Sequence, residues 1–502
     1  MELTELERQR VEKLERLRAL GIEPYPHRVR RTHTIAEAIA ALEEAEASGK
    51  EGPYAAITGR LKSMRVMGKV TFAHIEDGSG AIQLFLRIQN LGEDTYELFR
   101  QNFDLGDFVA AEGKLMRTRT GERSLLVERM CMLAKAISPL PVIKEKEVDG
   151  RVVRYTHFSD VEERYRQRYA DLACNPEVRE VFRIRARIIA ALRRFLDEHG
   201  FIEVETPILQ PVYGGAAARP FITHHNQLHQ DLYLRIAFEL YLKRLLVGMY
   251  DRVYEIGRDF RNEGVSHKHN PEFTQLEFYA AYWDYNEVMS FCERMLAYVA
   301  EEVTGSPVIH YQGHEIDLRP PWRRVTLREV INEVTGIDYL QFPSAAALAS
   351  VMKSKGLLAR DGASWGYLID KGLLSEVEPK LIQPTFVMDY PRDISPLAKA
   401  KPEDPTHVER FEYFIGGMEM GNAFTELNDP FDQEQRFLEM GRLYTPDDEE
   451  AHPMDEDYLK AMKYGMPPNG GLGLGVDRLV MLLTDKPNIR EVILFPHLRA
   501  KS

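Results

Sequence analysis

Residues 260–279 form the stretch that most constrains what this chain can fold into. The residues on either side predict two strands, one over Arg252–Ile256 and one over Thr274–Tyr282. Two strands this close in sequence are expected to pair as an antiparallel hairpin. Because alternate residues of a strand share a face, each face of the hairpin should collect a defined set of side chains.

The side chains of this hairpin predict a ligand-binding surface. We expect two groups to point together: Arg261 with Glu263, and Phe273 with Gln275, Glu277 and Tyr279. A cation, an aromatic ring and carboxylates on one surface suit a charged ligand that carries a flat ring, and ATP is the obvious candidate. A solvated hairpin with a few surface charges is the alternative.

The segment resembles motif 2 of the class II aminoacyl-tRNA synthetases, and it is most similar to the bacterial lysyl-tRNA synthetase family. The resemblance extends over nearly the whole chain, from about residue 50 to Pro496. It implies that Arg261 contacts the α-phosphate of ATP and that Phe273 stacks on adenine. It also implies ATP contacts for Glu263, His269 and Asn270.

Residues 471–478, Gly-Leu-Gly-Leu-Gly-Val-Asp-Arg, superficially match a dinucleotide-binding fingerprint. The match fails because Val476 stands where the third glycine belongs, and the chain has no GxxxxGKS/T phosphate loop. Apolar residues recur at helical spacing from Val476 to Leu483, which predicts that Arg478 lies in the first turn of a helix. The segment resembles motif 3 of the same family, which implies that Arg478 holds the γ-phosphate and acts with Arg261 in catalysis.

Residues 200–207 follow a predicted helix over Arg183–His199 and end at Pro207. This junction of helix and strand resembles motif 1, which forms the dimer interface of class II synthetases. The pattern alone is weak, since any such junction would match it. Together with the other two motifs it implies a homodimer.

Residues 421–429 bear on which amino acid is bound. As a strand they place Asn422, Phe424 and Glu426 on one side. With Glu277 and Tyr279 they predict an anionic pocket with an aromatic wall, which fits lysine, a primary ammonium on a flexible apolar stem. Aspartate or asparagine would need a site for a carboxylate or an amide instead. Carboxylates on an exposed edge are the remaining alternative.

The resemblance adds two residues to this lysine pocket. Gly215 lies in a run of small residues that lets the backbone approach a ligand closely, and Glu239 matches the glutamate that contacts the substrate's α-amino group. Phe238 stands where relatives usually have proline, so the local turn is expected to differ while Glu239 keeps its place.

Glu412 and Glu419 flank the pair Gly416–Gly417, where we expect a tight turn. Two carboxylates brought together by this turn could hold Mg²⁺, because that cation prefers oxygen ligands. The resemblance implies that this Mg²⁺ bridges the phosphates of ATP.

Residues 51–137 predict a five-stranded barrel of the OB-fold type. The predicted strands are Tyr54–Leu61, Val70–Glu76, Ala81–Arg87, Phe108–Lys114 and Ser124–Met132, with a helix over Asp94–Asn102. Such barrels commonly bind oligonucleotides through their second and third strands. We expect anticodon contacts from Arg65, Phe72 and Gln83, with Phe72 stacking on a base as the resemblance implies, and we place Phe85 in the barrel core.

The length of 502 residues leaves room for two or three domains. We expect a helical extension over residues 1–50, with a helix over 1–20, and the OB-fold over 51–137. A linker over 138–160 would begin at the closely spaced prolines of Ser138–Pro141, and the catalytic domain would span 161–502. Because that last part lacks regular βαβ alternation, we predict the α+β class, with an antiparallel sheet flanked by helices.

The net charge of −13 argues, taken alone, against a nucleic-acid partner. Basic residues within 114–123 and 164–168 could still form an RNA-binding surface, although ordinary solvated surface explains them equally well. The chain has no apolar run long enough for a membrane span and no signal-peptide core, so we expect it in the cytoplasm. Its three cysteines lack metal-ligand spacing, and we expect them to be reduced and buried.

Together these features predict ATP-dependent attachment of L-lysine to tRNA(Lys) through a lysyl-adenylate, with Mg²⁺ as cofactor. Two alternatives stay open at this point. One is a synthetase-like enzyme that attaches lysine to an acceptor other than tRNA, and the other is an RNA-binding protein with an inactive synthetase domain.

Overall fold

The computed structural model describes residues 2–141, 144–148, 151–155, 161–443 and 453–499. The chain divides into two compact units, residues 1–160 and 161–502. Within the described ranges, every helix is too short or too polar to cross a membrane.

The first unit combines short helices with a barrel and a separate two-stranded hairpin. Its helices are α1 (Glu5–Ala19), α2 (Ile35–Ala47), α3 (Ile88–Leu91) and α4 (Glu93–Asn102). Its strands are β1 (Tyr54–Met67), β2 (Val70–Glu76), β3 (Ala81–Arg87), β4 (Phe108–Arg117), β5 (Arg123–Ala134), β6 (Lys144–Val148) and β7 (Arg151–Tyr155). The helix predicted within residues 1–20 is confirmed as α1, whereas α2 was not predicted. A capping box of Thr34 and Glu37 starts α2.

The barrel is closed in the strand order β1-β2-β3-β5-β4, with β3 and β5 parallel and the other pairs antiparallel. The OB-fold and all five predicted strands are confirmed. The signal was strong where alternate residues, such as Ala73 and Ile75 on β2, are fully buried inside the barrel. The expectation of three buried cysteines is wrong, since only Cys292 is buried. On β5 the buried Met132 points inward, so its neighbour Cys131 points outward.

The expected linker over 138–160 contains the antiparallel strands β6 and β7. Its residues 142–143, 149–150 and 156–160 lie outside the described part of the chain.

The second unit contains thirteen helices and thirteen strands in its described residues. The helices are α5 (Val161–Arg166), α6 (Arg168–Cys174), α7 (Pro176–Glu198), α8 (Glu239–Val247), α9 (Tyr285–Thr304), α10 (Leu327–Thr335), α11 (Ala345–Ser354), α12 (Trp365–Tyr367), α13 (Leu374–Val377), α14 (Pro430–Leu443), α15 (Glu456–Lys463), α16 (Val476–Leu483) and α17 (Ile489–Val492). The strands are β8 (Ile202–Glu203), β9 (Leu209–Gln210), β10 (Ile222–His225), β11 (Gln230–Leu234), β12 (Arg252–Phe260), β13 (Glu272–Ala281), β14 (Val308–Tyr311), β15 (His314–Asp317), β16 (Arg323–Thr326), β17 (Thr385–Pro391), β18 (His407–Ile415), β19 (Met418–Thr425) and β20 (Asn469–Gly475).

An eight-stranded sheet organises the second unit, in the order β16-β17-β18-β19-β20-β13-β12-β8. Its pairs are antiparallel except β16–β17 and β12–β8. Side chains of α7, α9 and α16 cover one face, where Phe291 of α9 packs near Phe278 of β13 and Leu472 of β20 in one apolar core. The predicted α+β architecture is confirmed. Helix α7 begins seven residues before its predicted start, because Pro176 is suited to the first turn of a helix.

Candidate active site

The hairpin predicted at residues 252–282 is formed by β12 and β13, which pair from Arg252↔Ala280 to Phe260↔Glu272. The expectation that Arg261 and Glu263 share a strand face is wrong, because β12 ends at Phe260. The backbone N–H of Glu263 donates to the Arg261 carbonyl at 2.9 Å. This three-residue turn breaks the alternation of side chains, so both residues lie in the connection between the strands.

Side chains expected to bind ATP line this connection and the start of β13. The Arg261 guanidinium lies 5.1 Å from the centroid of the Phe273 ring, a cation–π contact. His269 Nε2 lies 3.2 Å from Arg478 Nη2, so residues from two distant segments meet. The Asn270 side chain is buried and donates to the Glu272 carbonyl at 2.6 Å. Glu263 is half-buried on the same connection.

Arg478 lies in the first turn of α16, as predicted. A cation at a helix N-terminus is unfavourable against the helix dipole. Arg478 Nη1 donates to the backbone carbonyl of Glu419 at 2.6 Å and approaches the Glu419 carboxylate at 3.3 Å. The carboxylate offsets the dipole and links Arg478 to the next group of acidic residues.

Glu412 and Glu419 lie on β18 and β19, joined by the predicted turn at Gly416–Gly417. Both glycines have left-handed backbone angles, with φ of 63° and 74°, as a two-residue hairpin turn requires. Burial and the negative charge of Glu419 raise the pKa of Glu412 to about 7. Among the described residues no group of three His, Cys, Asp or Glu side chains has the arrangement of a metal site. Any cation held here would therefore need further oxygen ligands from its substrate or from water.

Glu277 is a buried carboxylate surrounded by neutral donors. It accepts hydrogen bonds from Gln275 Nε2 at 2.9 Å, Tyr279 OH at 3.0 Å and the Phe238 backbone N–H at 3.3 Å. Burial raises the pKa of Glu277 well above its usual value. No basic side chain in the described part of the chain forms an ion pair with it. A bound cation would supply the missing partner, and a proline at position 238 could not donate the third bond.

Glu239 and Glu426 come together through a residue that sequence reasoning missed, Lys243. The Lys243 ammonium lies 2.9 Å from Glu239 Oε1 and 2.7 Å from Glu426 Oε2, and the Lys243 side chain is fully buried. Glu239 begins α8 and Lys243 follows one turn later, a spacing at which opposite charges meet. The spacing of Glu239 and Lys243 was visible in the sequence. The contact of Lys243 with Glu426 depends on the tertiary fold.

Asn422 and Phe424 lie on β19, and Glu426 follows one residue beyond the strand's end. Arg410 of β18 contacts both Asn422 and Phe424. Its Nε donates to Asn422 Oδ1 at 3.1 Å, and its guanidinium lies 5.7 Å from the centroid of the Phe424 ring. Its Nη2 also donates to Glu412 Oε1 at 2.7 Å, so one cation contacts residues from both predicted sites.

Glycines leave room for this group of carboxylates. Gly471 and Gly473 of β20 pair with Tyr279 and Glu277 on β13. A Cβ atom at Gly471 would lie 2.2 Å from Tyr279 Cε1 and 2.6 Å from Glu426 Oε1. Gly215 has a φ of 87°, and a Cβ there would lie 3.0 Å from Glu239 Cβ. Glycine in a strand interior often marks a close approach of a ligand or another backbone.

In the first unit, the second and third barrel strands present two stacked aromatic rings. The centroids of Phe72 and Phe85 lie 5.0 Å apart, with an interplanar angle of 8°. The expectation that Phe85 lies in the core is wrong, since its buried neighbours Leu84 and Leu86 occupy the inward positions of β3. Both rings are half-buried on the outer surface of the barrel.

Gln83 and Arg65 flank this aromatic pair. Gln83 is held by Glu122, whose Oε2 accepts from Gln83 Nε2 at 2.6 Å, and by Ser124 Oγ, which donates to Gln83 Oε1 at 2.8 Å. Arg65 is exposed on β1 opposite Phe72. The structure thus brings the three predicted anticodon residues to one side of the barrel, with Glu122 as an addition that sequence reasoning missed.

The two basic clusters are largely neutralised by acidic neighbours. The ion pairs are Lys114–Glu51, Arg117–Glu46, Arg123–Glu43, Arg164–Asp171, Arg166–Glu162 and Arg168–Asp171. Ordinary paired surface charge accounts for most of these residues, whereas Arg168 and Asp171 form a buried pair inside the second unit.

Comparison with known proteins identifies relatives of both units. Residues 160–499 match the family described as tRNA synthetases class II (D, K and N), and residues 55–133 match the OB-fold nucleic acid binding domain. The chain is 55% identical over 502 residues to a lysine–tRNA ligase of Roseiflexus castenholzii, with 100% of both chains covered. A lysine–tRNA ligase of Chloroflexus aurantiacus is also 55% identical with the same coverage, and one of Pelotomaculum thermopropionicum is 52% identical over 100% of this chain and 96% of its own.

Proposed function

This chain belongs to the class II tRNA synthetases of the D, K and N group, and we propose that it attaches L-lysine to tRNA(Lys) through a lysyl-adenylate. The observation that carries this proposal is the pocket of three buried carboxylates, Glu239, Glu277 and Glu426. Lysine brings two ammonium groups to such a pocket, whereas aspartate would bring a second carboxylate. The curated relatives named lysine–tRNA ligase support the same choice.

The first reaction step is a displacement at the α-phosphorus of ATP. The lysine carboxylate attacks the phosphorus, a new phosphorus–oxygen bond forms, and the bond to the leaving pyrophosphate breaks. Arg261 contacts the α-phosphate and offsets charge that develops on its oxygens, while Phe273 stacks on adenine. Arg478 holds the leaving pyrophosphate, and His269, Glu263 and Asn270 complete the nucleotide site. No side-chain nucleophile is required, because positioning and electrostatic stabilisation carry such reactions.

In the second step the terminal ribose hydroxyl of tRNA attacks the carbonyl carbon of the adenylate. An ester bond forms, AMP leaves with the electron pair of the broken anhydride bond, and the hydroxyl proton passes to the departing phosphate or to solvent.

Glu412 and Glu419 are the residues that would hold Mg²⁺. Glu412 is buried beside the half-buried Glu419, and burial together with the charge of Glu419 raises the pKa of Glu412, so a cation between the two carboxylates would fit. Mg²⁺ is commonly held by one or two carboxylates together with substrate phosphates, which agrees with a pair rather than a cage. When bound, the ion supplies charge neutralisation for the phosphates.

The barrel surface is proposed to bind the anticodon, with Phe72 and Phe85 as a stacking platform beside Gln83 and Arg65. Replacing Phe72 with alanine is expected to weaken tRNA aminoacylation on the order of tenfold, since one stacked base contributes about 1–3 kcal/mol. Lysine-dependent ATP–pyrophosphate exchange should be unchanged, because it involves no tRNA. Equal loss in both assays would count against this role of the barrel.

Gly471 provides a test of the pocket's shape. In Gly471→Ala the new Cβ would overlap Tyr279, which is buried and cannot move away freely. We expect kcat/KM for lysine in the exchange assay to fall between about tenfold and 10²-fold, because small displacements of a binding group have effects of that size. Gly441→Ala on α14 is the matched control, since a Cβ there meets no atom of the described residues within 4 Å. Full activity of Gly471→Ala would show that the pocket lies elsewhere.

A homodimer and residence in the cytoplasm, where tRNA and ATP are present, belong to the same proposal. Strand β8 is at the edge of the eight-stranded sheet, and Ile202 on it is 50% exposed. Ile208 and Leu209, which follow, are also exposed. An edge strand with apolar neighbours can pair with another chain, and the molar mass in solution tests this.

ATP–pyrophosphate exchange with each amino acid is the decisive experiment. Exchange with lysine, and none with aspartate or asparagine, is expected. Exchange with aspartate or asparagine instead of lysine would reject the specificity. Exchange with lysine but no transfer to tRNA would favour another acceptor, and tRNA binding without any exchange would favour an inactive synthetase domain.

A further inference from the structure

Lys243 places a cation of the chain itself inside the proposed amino-acid pocket. Its ammonium lies between Glu239 on its own helix and Glu426 beyond β19, at 2.9 Å and 2.7 Å. The ring of Tyr458 from α15 lies 5.6 Å from Lys243 Nζ and closes the site on a third side. A buried ammonium with two carboxylate partners is held in one position, so it can fix the positions of those partners.

The two oxygens of Glu426 have different surroundings. Oε2 accepts from Lys243, whereas Oε1 is buried and has no hydrogen-bond partner among the described residues. A buried carboxylate oxygen without a donor is unfavourable, because it has lost its hydrogen bonds to water and has gained none in the protein. This oxygen lies beside Gly471, where the chain leaves out a side chain. Oε1 is therefore the atom of Glu426 available to a ligand's N–H donor.

The charges of the pocket are also out of balance. Glu239, Glu277 and Glu426 face one internal ammonium, and the nearby Arg410 already pairs with Glu412. An excess of negative charge is left for a ligand with more than one cationic group. Lysine has two ammonium groups and matches this excess.

We propose that Lys243 is a positioning residue for lysine recognition, which holds the carboxylate of Glu426 in place and directs its free oxygen to the ε-ammonium of the substrate. This inference rests on the proposed lysine specificity. Lys243 acts through Glu426 and has no contact with the reacting atoms.

Lysine binding is expected to depend on pH through the protonation of Glu426. The groups that face Glu426 and Glu239 are Lys243, Glu277, Tyr279, Arg410 and Tyr458. Burial raises the pKa of Glu426 to about 8, and the Lys243 cation works against this rise. Without Lys243 the pKa would be higher still, so a larger fraction of Glu426 would be protonated at neutral pH. A protonated Glu426 attracts no ammonium, and lysine binding would then recover only as the pH rises.

The test is Lys243→Met, with kcat/KM for lysine and KM for ATP measured in the exchange assay between about pH 6 and about pH 10. We expect kcat/KM for lysine to fall about tenfold or more near neutral pH, since one unit of pKa corresponds to a factor of ten. The loss should shrink at high pH, and KM for ATP should be unchanged. A purely structural role would lower activity equally at every pH.

Lys135→Met is the matched control. Lys135 in the first unit is also fully buried and pairs with Asp104 at 2.6 Å and Asp107 at 2.8 Å. Its loss should lower thermal stability without moving the pH profile of lysine exchange. Lys243→Arg, which keeps the charge, should restore part of the activity near neutral pH.

A pH profile of Lys243→Met that parallels the wild type overturns the positioning role. If this variant shows no thermal stabilisation by ATP and is therefore misfolded, Lys243→Gln gives the same comparison, because it keeps a donor and removes the charge. A wild-type protein that exchanges with aspartate or asparagine rather than lysine overturns the proposed function instead. The two failures are thus distinguishable.

Discussion

Replacing Glu426 with glutamine is expected to lower kcat/KM for lysine in the exchange assay by about 30-fold to 4 × 10³-fold, with KM for ATP unchanged. Removal of one partner of a buried charge pair is unfavourable by about 2–5 kcal/mol, which corresponds to this range. In the variant the substrate ammonium loses its carboxylate, and Lys243 keeps only Glu239 as an ionic partner. Both effects act on the amino acid and neither acts on the nucleotide.

The discrimination between lysine and norleucine gives a second measure of the same residue. Norleucine lacks the ammonium, and a site built to bind such a group can reject the analogue by about 10⁴-fold. Glu426→Gln should lose most of this discrimination. Glu434→Gln on the exposed side of α14 is the control and should change neither constant. Lysine kinetics that survive Glu426→Gln would mean that another carboxylate binds the ε-ammonium.

Replacing Arg261 with alanine is expected to lower the rate of exchange by about 10³-fold while the protein stays folded. Loss of one donor that stabilises transition-state charge reduces rates by about 10²–10³-fold, and Arg261 also contacts Phe273, the proposed adenine platform. Lysine binding measured by calorimetry should persist, because the carboxylate pocket keeps all its members.

Arg258→Ala is the matched control for this experiment. Arg258 lies on the same strand, β12, with its side chain 40% exposed and 3.8 Å from Glu272. An exposed ion pair contributes little, so exchange should be nearly unaffected. Equal activities of the Arg261→Ala and Arg258→Ala variants would show that Arg261 does not contact the phosphate.

Strand β2 shows why part of the barrel was predictable, because its buried residues alternate with residues that face outward. In β2, Ala73 and Ile75 are buried while Phe72 and His74 are not, and this pattern set both the strand and its outward face. The same rule placed Glu277 and Tyr279 together on β13. These predictions rested on local sequence, and the folded structure agrees with them.

The predictions failed where main-chain hydrogen bonds or residues distant in sequence determine the local structure. The turn at Glu263 is made by a main-chain hydrogen bond that has no periodic signature, so Arg261 and Glu263 could not be assigned to a common face. Phe85 is a different case, because Leu84 and Leu86 take the inward positions of β3 and local alternation should have placed the Phe85 ring outside the barrel. Lys243 meets Glu426 across 183 residues, which no local pattern reveals.

Strand β20 limits how the specificity of this enzyme could be redesigned. A Cβ atom at Gly471 would lie 2.2 Å from Tyr279 Cε1, so main-chain atoms set the width of the proposed amino-acid pocket at this position. A library aimed at a shorter or longer amine would have to vary β13 and the segment after β19 and keep β20 invariant. Substitutions on β13 and in the segment after β19 could therefore change the selectivity of the pocket, whereas β20 has to stay as it is.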